Sequence, residues 1–193
     1  MIEAKPTLRI FKEAKRCEGS YDDFPTMLDS RDFMVHLSRA RVPQPCFMAS
    51  NGDQVLVVMA GRGHIILASP KQSEHQLSVG DAMYLPAGVA SRVVPIDEML
   101  LVRYKAQPRG WEAAIWFCED CGAEVHHREF DTSEVVSQAG FWQACQEFNE
   151  EPALRTCPQC QNVHPAADLE DIRWADVAAY LDARENQPAE VSS

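Results

Sequence analysis

The chain has 193 residues, 46% hydrophobic and 24% charged, a balance suited to an ordinary globular protein with a buried core. Its net charge of −11 argues against nucleic acid or an anionic membrane as a partner, because both require a basic face. Apolar runs such as Val55–Ala60 are far too short to span a bilayer, and Met1–Pro6 offers no apolar signal-peptide core.

In chain order, residues 7–16 read as a short strand or a first helix, and residues 21–30 are rich in turn formers. From Asp32 the texture turns to β, with short runs at Phe33–Ser38, Gln54–Met59, His64–Leu67, Ala82–Leu85 and Met99–Tyr104. Asn51-Gly52, Gly61-Arg62-Gly63, Val79-Gly80-Asp81 and Pro86-Ala87-Gly88 punctuate these runs, which predicts a small antiparallel barrel or sandwich. Residues 105–112 read as a linker. Within 134–150, Val135, Val136, Ala139, Phe141, Trp142, Cys145 and Phe148 recur at mostly helical spacing. Asp168–Glu185 reads as an amphipathic helix with Ile172, Val177, Tyr180 and Leu181 on its buried side, before a polar tail at 186–193. Three units are expected: a barrel over 1–106, a metal-binding unit over 107–166, and a C-terminal helix and tail over 167–193.

Two Cys-x-x-Cys pairs, Cys118-Glu119-Asp120-Cys121 and Cys157-Pro158-Gln159-Cys160, carry the strongest chemical signal. Four thiolates from two tight turns close a tetrahedral iron or zinc site and clamp the 35 residues between them into one unit. The alternative is two independent redox dithiols; Gly122 after the first pair and Pro158 inside the second favour metal knuckles. A closed site of this kind has no open position for substrate, so function must come from the preceding residues. The other three of the seven cysteines, Cys17, Cys46 and Cys145, show no pairing pattern, and a reducing cytoplasm is expected.

Gly61 after the strand Gln54–Met59, and the stretch Val79–Gly88, are similar to a barrel motif of the form Gly-Glu-x-x-x-Leu-Pro-Ala. Ile115–Gly122 with His126 resembles a Trp-Tyr-Cys-Glu-Asp-Cys-Gly knuckle and its following histidine. Arg155-Thr156-Cys157 and Val163-His164-Pro165 resemble the second knuckle and its flank. Over residues 7–166 these motifs together resemble the cupin family, and more closely the 3-hydroxyanthranilate 3,4-dioxygenases of the two-domain bacterial type. The resemblance implies a mainly β cupin (double-stranded β-helix, jelly-roll barrel), a small α+β rubredoxin-like tetrathiolate unit and a C-terminal helix. It also implies a homodimer, a small-molecule substrate, and iron or zinc on Cys118, Cys121, Cys157 and Cys160.

The family's catalytic iron triad does not carry over. Aligned on the family pattern, Met48 stands for the first histidine, Gln54 for the glutamate and Ser91 for the second histidine, with Gln44 near an expected arginine. A non-haem Fe(II) oxygenase needs two imidazoles and one carboxylate, whereas thioether, amide and hydroxyl supply no anionic charge. Shifting the register does not help, since Arg41 to Gly63 contains no histidine and only Asp53 is acidic. A second metal in the barrel is therefore doubtful.

Met48, Gln54, Ser91, Arg103 and His36 are the candidate cavity residues. His36 and His64 lie on predicted strands, able to face a rearranged site or to serve as ordinary core or surface histidines. Cys46 and Met48 alternate along a strand, able to share one cavity or simply to fill core. Arg92 and Arg103 are candidates for carboxylate recognition, against the plainer role of outward-facing edge residues. His126, His127 and His164 flank the knuckles as donors around the metal or as packing and surface residues. Two functional classes follow: a diverged oxygenase-type enzyme acting on another small metabolite, or a catalytically silent ligand-binding or partner protein. Retained 3-hydroxyanthranilate ring opening is the least supported.

Overall fold

A computed structural model describes residues 9–26, 33–69, 71–106 and 110–185. Strands β1 (Tyr21–Pro25), β2 (Phe33–Ala40), β9 (Met99–Ala106), β4 (Gln54–Ala60) and β7 (Ala82–Leu85) form one antiparallel sheet in that spatial order. The second sheet runs β11 (Glu124–Asp131), β10 (Trp111–Phe117), β3 (Phe47–Ser50), β8 (Ala90–Pro95), β5 (Gly63–Ser69) and β6 (Lys71–Leu77). Without the flanking strands β1, β10 and β11, the sheets reduce to β2-β9-β4-β7 and β3-β8-β5-β6. That order is the double Greek key of a jelly roll, so the expected cupin barrel is present.

The stretch 105–112 is not simply a linker. Lys105 and Ala106 close β9, Trp111 and Glu112 open β10, and 107–109 lie outside the described residues. Helix α1 (Ile10–Glu13), extended by a 3₁₀ turn at Ala14–Arg16, settles the N-terminal ambiguity for residues 10–16 in favour of helix. The apolar spacing at 134–150 yields α2 (Ser137–Glu150), and the last helix, α3, starts at Trp174 and is described to Glu185. Residues 168–173 approach α3 as irregular chain, and the polar tail lies outside the described residues. Tyr180 does not join the buried side: it is 42% exposed, whereas Trp174, Val177, Ala178 and Leu181 are buried. Those four recur at i, i+3, i+4 and i+7, and position 180 turns off that face to stack on Phe24 at 5.6 Å. Among the described residues, no helix is long and apolar enough to cross a membrane.

The space between the sheets changes character along its length, and β9 shows how. By the two-residue period, Met99, Leu101, Arg103 and Lys105 point inward while Leu100, Val102 and Tyr104 point outward. At one end Leu56, Val58, Ile65, Val93, Met99 and Leu101 form an apolar core. At the other end the inward positions are charged or polar: His36, Gln54, Arg103, Lys105 and Glu112, all buried. Two helices cover that polar end. Helix α2 sets Phe141, Ala144, Cys145 and Phe148 against Cys46, Met48, Ala114 and Trp116, and α3 sets Val177 and Leu181 against Tyr21 and Phe24.

Candidate metal centre and barrel interior

The two Cys-x-x-Cys segments fold as near copies of one turn. Cys118 N–H donates to Ala123 O and Cys157 N–H to Asn162 O, both at 2.8 Å. Gly122 N–H and Gln161 N–H then close onto the carbonyls of Cys118 and Cys157 at 2.8 and 3.0 Å. Gly122 and Gln161 hold the equivalent left-handed position, with φ of 76° and 63°. A hydrogen bond from Asn162 Nδ2 to Asp120 Oδ2 at 2.6 Å ties one turn to the other.

This geometry brings the four predicted metal ligands together. All four Sγ atoms lie within 4.8 Å of one another, with Cys118–Cys160 and Cys121–Cys157 each at 3.5 Å. A tetrahedron with metal–sulfur bonds of about 2.3 Å has edges of about 3.8 Å, so the set fits a tetrahedral thiolate-bound ion. Cys118 and Cys157 are buried whereas Cys121 and Cys160 are exposed, placing the site at the surface with one side against the protein. The nearby histidines take separate roles. His126 stacks on Trp116 at 5.6 Å, and burial pushes its imidazole down from the ordinary value. His127 pairs with Glu124 and Glu129, and the His164 amide bonds to Arg155 O at 2.8 Å.

In the barrel the structure places Met48, Gln54, Ser91, Arg103 and His36 in the interior, all buried. They meet one another and a set of charged and polar partners. Gln54 Oε1 accepts from Arg103 Nη1 at 2.8 Å, and Gln54 Nε2 donates to Ser50 Oγ at 2.6 Å. Arg103 Nε stands 3.2 Å from Asp23 Oδ1, and Lys105 Nζ stands 2.6 Å from Asp23 Oδ2. Lys105 also bonds Glu112, and His36 Nδ1 lies 4.0 Å from Asp23 Oδ1. Met48 Sδ accepts from Gln44 Nε2 at 3.0 Å, and Ser91 faces Met48 in register across β3 and β8.

The organising residues here are ones that sequence reasoning missed, Asp22 and Asp23. The β1–β2 register shifts between Tyr21 and Phe24, and Asp23 adopts φ 53°, a left-handed conformation that aspartate tolerates better than most residues. This bulge leaves both carboxylates buried. Asp23 takes the two cations, while Asp22 accepts from Gln44 Nε2 at 2.8 Å and Trp174 Nε1 at 3.3 Å. Burial, reinforced by the neighbouring Asp23 charge, pushes Asp22 up to about 6. Burial alone would raise Asp23 too, but Lys105 and Arg103 outweigh it and hold that carboxyl well below the usual range. The missed signal lay in β9: charges at Arg103 and Lys105, in step with apolar Met99 and Leu101, demand buried counter-charges.

Among the described residues, the cysteine quartet is the one group of three or more His, Cys, Asp or Glu side chains arranged to hold an ion. Arg92, the other carboxylate-binding candidate, touches this network only through the Gln44 backbone. Its Nε donates to Gln44 O at 2.7 Å, and the side chain lines a cleft of about 660 Å³ bounded by β3, β8, the first knuckle and residues 164–173.

No protein-family model matches the chain. A Brucella anthropi protein named 3-hydroxyanthranilate 3,4-dioxygenase is 36% identical over 89 residues, covering 45% of this chain and 48% of that relative. Proteins of the same name from Bacillus thuringiensis and Shewanella woodyi are 29% and 28% identical over 124 and 127 residues. Those matches cover 68% and 61% of the relatives, and across the relatives it matches the chain spans from about a third to about two thirds of their length. Among solved structures, a cupin-2 domain protein from Shewanella frigidimarina overlaps 53% of this chain and 96% of its own, at 16% identity and a TM-score of 0.44. Protein NMB1881 from Neisseria meningitidis overlaps 52% and 99%, at 16% identity and a TM-score of 0.45. By sequence the chain is thus similar to part of the proteins named 3-hydroxyanthranilate 3,4-dioxygenase, and its own barrel has the cupin fold.

Proposed function

We propose that the chain is a catalytically silent, dioxygenase-like cupin: a small-molecule-binding metalloprotein that keeps the fold and the tetrathiolate centre without a catalytic iron in the barrel. The carrying observation is the Arg103–Gln54 hydrogen bond, which sets a buried guanidinium at the position aligned with the family's carboxylate ligand. A divalent cation among Met48, Gln54 and Ser91 would lie beside the Arg103 guanidinium, repelled in a region of low dielectric and offered no anionic ligand by these three. The polar lining that favours a diverged enzyme in the sequence is engaged with itself: Gln54 with Arg103 and Ser50, Arg103 with Asp23, Met48 with Gln44. In this reading the metal on Cys118, Cys121, Cys157 and Cys160, iron or zinc, holds the two turns together. The protein acts as a homodimer in the cytoplasm, and its negative charge supports the lack of a nucleic-acid or membrane partner.

The test is a metal count combined with an oxygen-consumption assay. Protein purified without added metal is expected to hold about one metal per chain, lost in Cys118→Ser, and to consume no oxygen with 3-hydroxyanthranilate. An absorption spectrum distinguishes a coloured ferric tetrathiolate from colourless zinc. A second metal that survives Cys118→Ser, accompanied by ring opening, would replace this proposal with the oxygenase-type enzyme.

A further inference from the structure

We propose that the cleft between the barrel, the first knuckle and residues 164–173 binds a zwitterionic amino acid with an aromatic or large apolar side chain. Its volume of about 660 Å³ falls within the roughly 300–1,000 Å³ of small-molecule sites. Gln54, Ser91, Arg103 and His36 do not line it, so the proposal stands whether or not the barrel takes a metal.

Three features select the ligand. Trp116, Phe117 and Phe148 supply apolar wall, with Trp116 and Phe148 held rigidly as a face-to-face stack at 4.3 Å and 7°. Arg92 supplies a fixed cation. Its Nε is occupied by the Gln44 carbonyl oxygen, which orients the guanidinium, and among the described residues no carboxylate pairs with it. The two Nη groups are thereby left as a fork for a carboxylate. On the other side the cleft is net acidic: Glu119, Asp168, Glu170 and Asp171 line it with one further cation, Arg173, which pairs with Asp176 at 3.6 Å, and no described cation pairs with Glu119. Four carboxylates repel a simple organic acid, whereas a ligand carrying its own ammonium group meets both charges. A free amino acid has that pattern, and the aromatic wall receives its side chain.

The experiment is calorimetric titration of the full chain with L-phenylalanine and L-tryptophan, with benzoate and phenethylamine as half-ligands. Both amino acids are expected to bind, and each half-ligand to bind at least about tenfold more weakly. Arg92→Ala is expected to weaken L-phenylalanine about tenfold or more, and exposed Glu119→Gln several-fold, while exposed Arg62→Ala, outside the cleft, changes nothing. Should Arg92→Ala fail to fold, Arg92→Lys keeps the charge but not the fork, and a clear loss of affinity is again expected. No binding by either amino acid at about 10 mM, benzoate binding as tightly as L-phenylalanine, or affinity unchanged in the Arg92 variants would overturn the proposal. The metal count reads the silent-barrel proposal separately, so the two fail independently.

Discussion

Arg103 Nη1 donates to Gln54 Oε1 at 2.8 Å while Arg103 Nε lies 3.2 Å from Asp23 Oδ1, so one buried guanidinium joins β4, β9 and β1 inside the barrel. With Lys105 and Glu112 the cluster holds two cations and two anions, and Asp23 contacts both cations. A buried set of this kind is balanced when complete and costly when one member is removed.

Arg103→Met is therefore expected to destabilise the fold by about 3–5 kcal/mol, leaving Asp23 with a single cation and Gln54 Oε1 without its donor. Adding Asp23→Asn should recover part of that loss, giving a favourable coupling in a double-mutant cycle followed by urea unfolding. A single-variant loss below about 1 kcal/mol would mean that the cluster does not hold the barrel together.

Asp22 and Asp23 make opposite contributions to pH dependence. Asp22, pushed up to about 6 by burial and then by Asp23, holds its proton more tightly folded than unfolded. Its contribution is thus full below the unfolded value of 3.8 and is lost as pH rises through about 6. Asp23, held low by Lys105 and Arg103 against its burial, contributes above 3.8 and loses that contribution as pH falls. Asp22→Asn isolates the first effect. Relative to the parent, the variant should gain up to roughly 3 kcal/mol between pH 4 and pH 7, on top of a constant cost for the altered bonds to Gln44 and Trp174. Parallel stability curves for the two proteins would remove Asp22 as a titrating core group.

What the sequence made legible was local or periodic. The cysteine turns are built from contiguous residues, and β2, β4 and β9 show themselves as compact apolar or alternating runs. Strand β6, Lys-Gln-Ser-Glu-His-Gln-Leu, has no such pattern. Its conformation comes from seven-residue pairing with β5, and from Ser73 to Gln76 its side chains are exposed. Strand β1 was hidden for a different reason: an Asp-Asp pair reads as a turn until Arg103 and Lys105, some eighty residues away, supply its counter-charges. Lys105 and Glu112 read as a linker because the pairing that makes them buriable is invisible one residue at a time. Met48, Gln54 and Ser91 are buried, and what they contact, Gln44, Arg103 and Ser50 among them, comes from elsewhere in the chain and required the fold.

The matched turns around the metal predict opposite responses at equivalent positions. Gly122 and Gln161 both sit at positive φ, where a side chain costs roughly 1–2 kcal/mol. Gly122→Ala, although open space surrounds the added methyl, should weaken the first turn and hasten metal loss to a chelator. Gln161→Gly should slow that loss, less than the backbone effect alone implies because the Gln161 side chain donates to Pro158 O at 3.1 Å. Equal release rates in the two variants would contradict the role given to the left-handed position.

Gly140 sets two effects of comparable origin against each other in α2. An exposed mid-helix glycine replaced by alanine gains about 1 kcal/mol of helix propensity. Here an added Cβ would lie 2.3 Å from Cδ2 of Phe130, whose ring is held edge-on to Phe141 at 5.0 Å and 90°. The ring cannot withdraw without breaking that contact, so the steric cost of about 1–3 kcal/mol exceeds the gain. Gly140→Ala is expected to lower the melting temperature, and Gly140→Ala with Phe130→Leu to recover part of the loss by clearing the contact between α2 and β11. A single variant more stable than the parent would show that α2 has room to move away from the sheet, and with it that the lid over the polar end of the barrel is not tightly seated.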